Sequence, residues 1–141
     1  MKKSKAPALR AFDKWHEAAE AGFQIVPDVL LKNQAELGLS ATDLVVLLNL
    51  TMHWWYKEQR PFPRSTTIAR RMGVDVRTIQ RSLVKLRERR LINQVVEQTP
   101  GGEERQVCDL SGLQQQLSEI AKTDPTYLSR QIPSEAKDND L

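Results

Sequence analysis

Residues 60–90 concentrate positive charge in a chain that is otherwise acidic. This segment contains ten Lys or Arg residues and two acidic residues, a net charge of +8, whereas the whole chain carries +3. Clustered cations of this kind are the electrostatic footprint of a surface that binds a polyanion. The segment therefore predicts a nucleic-acid interface.

Few residues are suited to catalysis or to metal binding. The chain has one cysteine, Cys108, and two histidines, His16 and His53, which cannot form a zinc site at sensible spacing. We also find no glycine-rich phosphate loop and no Ser/His/Asp or Cys/His grouping. We therefore predict that the protein is not an enzyme and takes no cofactor or metal, and we interpret Cys108 as a small apolar residue in a strand.

Length and composition predict one domain in the cytoplasm. The chain has 141 residues, of which 40% are hydrophobic, and no apolar run approaches the roughly 18 residues that a membrane span needs. We predict a flexible basic arm over residues 1–7 and a folded domain over 8–122, with its core at 40–110. The composition of residues 123–141 is typical of a disordered tail.

Two short helices position the cations. Ser65 predicts the N-cap of a helix that ends at Met72, and Gly73 predicts its C-cap. Asp75 predicts the N-cap of a second helix over residues 76–90. Its apolar residues fall on one face, as a buried stripe would: Val76, Ile79, Leu83 and Leu86.

Further elements flank this pair. Apolar spacing predicts a helix over residues 8–21, and Ser40 predicts the N-cap of a long helix that runs to about Gln59. Apolar residues cover more than half of the long helix, which leaves Val46 and Asn49 on the opposite side and indicates packing on several faces.

After the second helix of the pair, apolar and polar residues alternate, which is the two-residue period of a β-strand. Residues 92–97 and 104–110 predict two strands joined by a turn at residues 99–102. Ser111 predicts the cap of a final helix that Asp124 and Pro125 end.

The order of these elements is that of a winged helix-turn-helix domain, mainly α with a β-hairpin wing and extra N- and C-terminal helices. The run PFPRSTTIARRMGVDVRTIQRSLVKLRERRLI, residues 61–92, resembles winged-helix regulators of the GntR and MarR type. It resembles most closely the helix-turn-helix domains of phage and plasmid replication and regulatory proteins. Asp75 departs from the family pattern, which commonly has Ser there, and a carboxylate is less favourable than a hydroxyl beside phosphate.

Helical geometry and this resemblance predict the same DNA-contacting face. The helix over residues 76–90 is expected to enter the major groove of double-stranded DNA. The residues predicted to contact base edges are Arg77, Arg81, Thr78 and Gln80. Those predicted to contact the DNA backbone are Arg64, Ser65, Thr66, Thr67, Arg70, Arg71 and Lys85. The wing is expected to contribute Gly101, Gly102 and Arg105.

Three functions remain open at this stage. The leading hypothesis is a sequence-specific DNA-binding transcriptional regulator, for example of a mobile element. The second is an origin-binding component of phage or plasmid replication initiation that recruits a replication protein, and the third is a winged-helix module that binds an acidic protein. Surplus apolar surface on the long helix and on both terminal helices favours a homodimer, which would bind a palindromic or repeated site.

Overall fold

The computed structural model describes residues 7–54 and 63–130. Within these ranges the chain forms eight helices and one two-stranded antiparallel sheet. In chain order they are α1 (Pro7–Trp15), α2 (Glu17–Glu20), α3 (Asp28–Lys32), α4 (Ala41–Trp54), α5 (Ser65–Met72), α6 (Val76–Glu88), β1 (Asn93–Gln98), β2 (Glu104–Asp109), α7 (Ser111–Ala121) and α8 (Pro125–Ser129). None of these helices has the length and apolar character that crossing a membrane requires.

The predicted fold class is confirmed, since a helix-turn-helix pair is followed directly by a β-hairpin in a mainly helical domain. One hydrophobic core joins α3, α4, α5, α6 and α7. Its fully buried side chains include Leu30, Leu47, Leu50, Ile68, Ile79, Leu86, Leu91 and Leu110. Cys108 belongs to the same core, which confirms its interpretation as a small apolar residue.

Helix α4 lies at the centre of the domain, and its buried face differs from the predicted one. Val46 and Asn49 were expected opposite the core but are buried, whereas Val45 and Met52 are 41% and 40% exposed. The prediction was wrong because apolar residues surround most of this helix, so that its packing partners, chiefly α6, decide which side is buried. The predicted continuation of the helix to about Gln59 lies outside the described residues.

Sharp local signals define the turn between α5 and α6. Gly73 ends α5 with φ 67° and ψ 34°, a left-handed conformation that favours glycine. Asp75 begins α6, and its carboxylate accepts a hydrogen bond from the backbone N–H of Arg77 at 2.8 Å. The predicted capping role of Ser65 is wrong: Ser65 is the first helical residue, and the extended Arg64 is the N-cap without a side-chain hydrogen bond.

The hairpin has the predicted turn and a regular register. Val95 pairs with Val107 and Glu97 with Arg105 across the two strands. Gly102, with φ 82°, closes the turn by donating its N–H to the carbonyl of Thr99 at 2.9 Å.

The N-terminal helix is interrupted where one helix was predicted over residues 8–21. His16 has φ 54° and ψ −134°, which no helical residue adopts, so α1 stops before it and α2 starts after it. The α1 side chains of Leu9, Phe12 and Trp15 remain exposed, so packing on the core does not hold them in one continuous helix. Residues 1–6 of the predicted arm lie outside the described residues.

The C-terminal region is more ordered than the sequence predicted. Leu110, not Ser111, is the N-cap of α7, and the Asp109 carboxylate accepts hydrogen bonds from the backbone N–H and the hydroxyl of Ser111. Asp124 then caps α8 by accepting from the N–H of Thr126 at 2.7 Å. The beginning of the segment predicted as a disordered tail is therefore helical, and residues 131–141 lie outside the described residues.

Candidate nucleic-acid interface

Helix α6 presents a polar ridge to solvent and an apolar stripe to the core. Ile79, Leu83 and Leu86 are buried as predicted, and Val76 is half-buried. The exposed residues of α6 are Arg77, Gln80, Arg81, Val84, Arg87 and Glu88. Of the four residues predicted to contact base edges, Arg77, Gln80 and Arg81 thus share the exposed ridge, while Thr78 is half-buried on its flank.

Several exposed arginines of this region are free to meet a ligand. Within the described residues, the side chains of Arg70, Arg77 and Arg81 have no hydrogen-bond or ion-pair partner, and the same holds for Arg64 just before α5. Arg77 and Arg81 line a shallow groove of about 300 Å³ together with Gln80 and Val84. Planar guanidinium groups in such a position can make paired hydrogen bonds to phosphate or to a guanine edge.

A second, larger groove separates α6 from the hairpin. It has a volume of about 650 Å³, with the start of α5 at one side and polar residues of the strands at the other. Its lining includes Arg64, Ser65, Thr66, Gln80, Val84, Arg87, Gln94 and Gln106. Arg87 donates from Nη1 to Oε1 of Gln94 at 2.8 Å, which links α6 to strand β1.

The start of α5 opens into this groove. Because Arg64 supplies no side-chain cap, the first backbone N–H groups, at Ser65 and Thr66, have no partner within the helix. Free N–H groups and the positive end of the helix dipole suit a phosphate oxygen. Thr67, the third residue predicted there, is half-buried, and its N–H already donates to the carbonyl of Arg64 at 2.9 Å.

Arg71 is held in place by a buried residue of α4. Its Nη1 donates to Oδ1 of Asn49 at 3.0 Å, while Nδ2 of Asn49 donates to the carbonyl of Val45 at 2.9 Å. Asn49 is only 7% exposed. Arg71 is therefore oriented before any ligand arrives, which lowers the entropy cost of a contact.

Lys85 has a structural partner that the sequence did not predict. Its ammonium lies 2.7 Å from Oδ2 of Asp43, a residue of α4 that is 4% exposed. Ser82 donates its hydroxyl to the other oxygen of the same carboxylate. This pair links α6 to α4, so Lys85 already has a structural role, and its contact with the DNA backbone stays a prediction.

The environment of Asp43 favours its charged form. Burial alone would raise the pKa of this carboxyl, but hydrogen bonds from Lys85, Ser82 and Ser40 outweigh it and lower the pKa from 3.8 to about 2. Ser40 takes part twice: its N–H donates to Asp43, and its hydroxyl accepts from the N–H of Asp43. This reciprocal arrangement is a capping box at the start of α4.

The arginine of the wing has an acidic neighbour. Gly101 and Gly102 are exposed at the turn, but Nη2 of Arg105 lies 3.8 Å from Oε2 of Glu97 on the opposite strand. A partly neutralised arginine on an exposed hairpin attracts phosphate weakly.

The family match identifies the domain. A model of the DnaD N-terminal domain family matches residues 26–126, which span α3 to α8. The chain belongs to the DnaD N-terminal domain family.

A solved structure shows the same fold. The crystal structure of the N-terminal domain of the DnaD protein from Geobacillus kaustophilus HTA426 aligns over 100% of both chains, with a TM-score of 0.56 and 21% identity. A possible transcriptional regulator from Methanosarcina mazei Go1 aligns over 72% of this chain and 81% of its own, with a TM-score of 0.45 and 20% identity. No curated protein matches the chain.

Sequence reasoning missed the residues that orient the basic surface of this DnaD-type domain. Asn49 was visible only as a polar residue between Leu48 and Leu50 in an apolar helix. Ser40 was predicted as the N-cap of this helix, and Asp43, three residues later, completes the spacing of a capping box. Nothing local connects Asp43 to α6 or Asn49 to α5.

Proposed function

We propose that the protein binds double-stranded DNA through α6 and acts as a component of replication initiation. The observation that carries the DNA-binding part is the exposed ridge of α6, where Arg77 and Arg81 have no partner within the described residues. The replication part rests on the DnaD N-terminal domain family, which is linked to replication initiation and to DNA binding. This hypothesis replaces the transcriptional regulator that led at the sequence level.

In this proposal α6 enters the major groove and reads base edges. Arg77 and Arg81 bind guanine O6 and N7, and each well-formed pair of hydrogen bonds discriminates by about 1–3 kcal/mol. Gln80 lies between them on the ridge and suits adenine, whose N6 and N7 form a donor and acceptor pair.

The start of α5 supplies backbone contacts in this proposal. Arg64, Arg70 and Arg71 bind phosphates beside the major groove and set the register of α6 without reading sequence. Affinity then falls steeply with salt, because each neutralised phosphate releases counterions. Arg70→Ala should weaken binding to all duplexes similarly and reduce the slope of log K against log salt by about one.

Further parts of the proposal follow from the sequence. The protein works without catalysis or a cofactor, in the cytoplasm, and forms a homodimer. The exposed apolar side chains of Leu9, Phe12 and Trp15 on α1 support the homodimer, because a second copy could cover them. Light scattering on the full chain and on the Trp15→Glu variant tests this point: a dimer that the variant loses supports it, and a wild-type monomer refutes it.

Selection from a random duplex library at near-physiological salt tests DNA recognition. We expect an enriched motif, and we expect Arg77→Ala to lose preference at one position of it. Arg71→Ala should instead lower affinity for all duplexes about equally. Arg10→Ala on α1, outside the basic surface, is the matched control and should leave binding unchanged.

The outcomes separate the competing functions. Clusters of the motif beside an origin would support replication initiation, whereas isolated copies upstream of genes would support the transcriptional regulator. Equal effects of Arg77→Ala and Arg71→Ala across sequences would show that α6 is not the reading face. Failure to retain any duplex would reject DNA recognition and favour a protein-binding module.

A further inference from the structure

Val84 is an apolar residue in the middle of the polar ridge of α6. It is 43% exposed, and the other five exposed residues of this helix are charged or polar. Gln80 precedes it by one turn, and Arg81 and Arg87 lie three residues before and after it. Residues at these spacings are neighbours on the helix surface.

Val84 separates the two grooves of the candidate interface. It lines the groove that contains Arg77 and Arg81, and it also lines the larger groove between α6 and the hairpin. A ligand that fills both grooves must therefore pass over its two methyl groups.

Core packing does not account for Val84. It belongs neither to the buried core nor to the half-buried residues packed against it, which include Val76 of the same helix. A single exposed valine is common on protein surfaces, so its significance lies in its position between the grooves and among residues suited to base contacts.

We propose that Val84 contacts the 5-methyl group of a thymine and so makes the protein prefer thymine at one position of its site. This inference rests on the proposed function, in which α6 lies in the major groove. The thymine methyl is an apolar group on the major-groove edge, and small apolar side chains recognise it by contact. Arg77 and Arg81 cannot recognise the thymine methyl group, because their guanidinium groups donate hydrogen bonds to acceptors such as guanine O6 and N7.

The expected preference is modest and measurable. Removing one methyl from an apolar contact should weaken binding about fourfold, which corresponds to one buried methyl group. Cytosine lacks the 5-methyl group and also carries an amino donor at C4 where thymine has the O4 acceptor, so it should be disfavoured at least as strongly.

Uracil substitution tests the contact without changing the protein. Once a duplex motif has been selected, each thymine in it is replaced singly by deoxyuridine, which lacks only the 5-methyl group, and affinity is measured for the wild type and for Val84→Ala. We expect one substitution to weaken the wild type about fourfold and to leave Val84→Ala nearly unaffected. Val45→Ala is the matched control, because Val45 is 41% exposed on α4, and it should respond to uracil as the wild type does.

The possible results distinguish this inference from the function on which it rests. A motif without thymine, or uracil effects that are the same in the wild type and in Val84→Ala, would overturn the thymine contact and leave DNA recognition standing. If no duplex motif is selected at all, the proposed function fails and the thymine contact fails with it. Circular dichroism checks that Val84→Ala is folded, which we expect because the side chain lies outside the core.

Discussion

Replacing Asp43 by Asn should remove one charge from the contact between α4 and α6 while keeping the shape of the side chain. In the wild type the Asp43 carboxylate accepts hydrogen bonds from Lys85, Ser82 and the backbone of Ser40. Asparagine has one acceptor oxygen in place of two, so it cannot hold all three donors. We expect Asp43→Asn to unfold more easily at neutral pH.

The lowered pKa sets the size of this effect. A fall from 3.8 to about 2 corresponds to about 2 kcal/mol of stability at pH 7. The loss should stay near this value and below the 3–5 kcal/mol typical of a broken, fully buried ion pair, because the Lys85 side chain is 39% exposed and can be hydrated in the variant.

The pH dependence gives a sharper test than the size alone. A carboxyl with a depressed pKa contributes its full stability above its unfolded value, near pH 4, and loses it as the pH falls through the folded value of about 2. The difference in unfolding free energy between wild type and Asp43→Asn should therefore be about 2 kcal/mol at pH 7, about 1 kcal/mol at pH 3 and near zero below pH 2. Urea unfolding followed by circular dichroism at each pH measures this difference. The contributions of the other carboxyls are the same in both proteins and cancel.

A second variant separates charge from packing. Ser82→Ala removes one hydrogen bond but keeps the ion pair between Asp43 and Lys85, so its destabilisation should depend less on pH. A difference between wild type and Asp43→Asn that stays constant from pH 7 to pH 2 would refute the reasoning, since it would show that the charge of Asp43 contributes nothing to the contact.

Two other predictions concern single positions. A Cβ atom at Gly112 would overlap the carbonyl oxygen of Arg90, so Gly112→Ala should lower stability by about 2 kcal/mol or more in thermal unfolding; an unchanged Tm would show that the backbone relaxes freely there. Gly101→Ala is the control and should change Tm little, because its Cβ would meet only Oγ1 of Thr99, at an ordinary contact distance of 3.9 Å. Burial raises the pKa of the Cys108 thiol to about 12, so iodoacetamide at pH 8 should leave the native protein unlabelled and label it in urea, whereas rapid native labelling would contradict the buried placement.

The helix-turn-helix and the hairpin could be predicted because each carries its own local signals. Gly73 and Asp75 fix the turn within three residues, and Ile79, Leu83 and Leu86 follow one another at helical spacings of four and three residues. The turn at residues 99–102 is equally local. Such signals depend on backbone preferences and on one buried face, and both can be derived from neighbouring residues.

The parts that the sequence did not predict depend on contacts far apart in the chain. Asp43 meets Ser82 and Lys85 across 39 and 42 residues, and Asn49 meets Arg71 across 22. The buried side of α4 also depends on such distant contacts. Because apolar residues surround most of this helix, the elements that pack against it determine which side is buried. Sequence reasoning thus placed the arginines of the interface but not the residues that orient them.

The contacts of the basic segment divide its cations into two groups. Lys85 and Arg71 are bound by residues of α4, and such contacts stabilise the domain. Other exposed cations have no such partner within the described residues, and repulsion between like charges makes the folded state less stable: Arg64, Arg70, Arg77, Arg81 and Arg90. Contacts that hold the helices together do not explain why the segment also carries these unpartnered cations. A polyanion across the ridge of α6 would relieve this repulsion, and the phosphates of DNA are a dense array of negative charge.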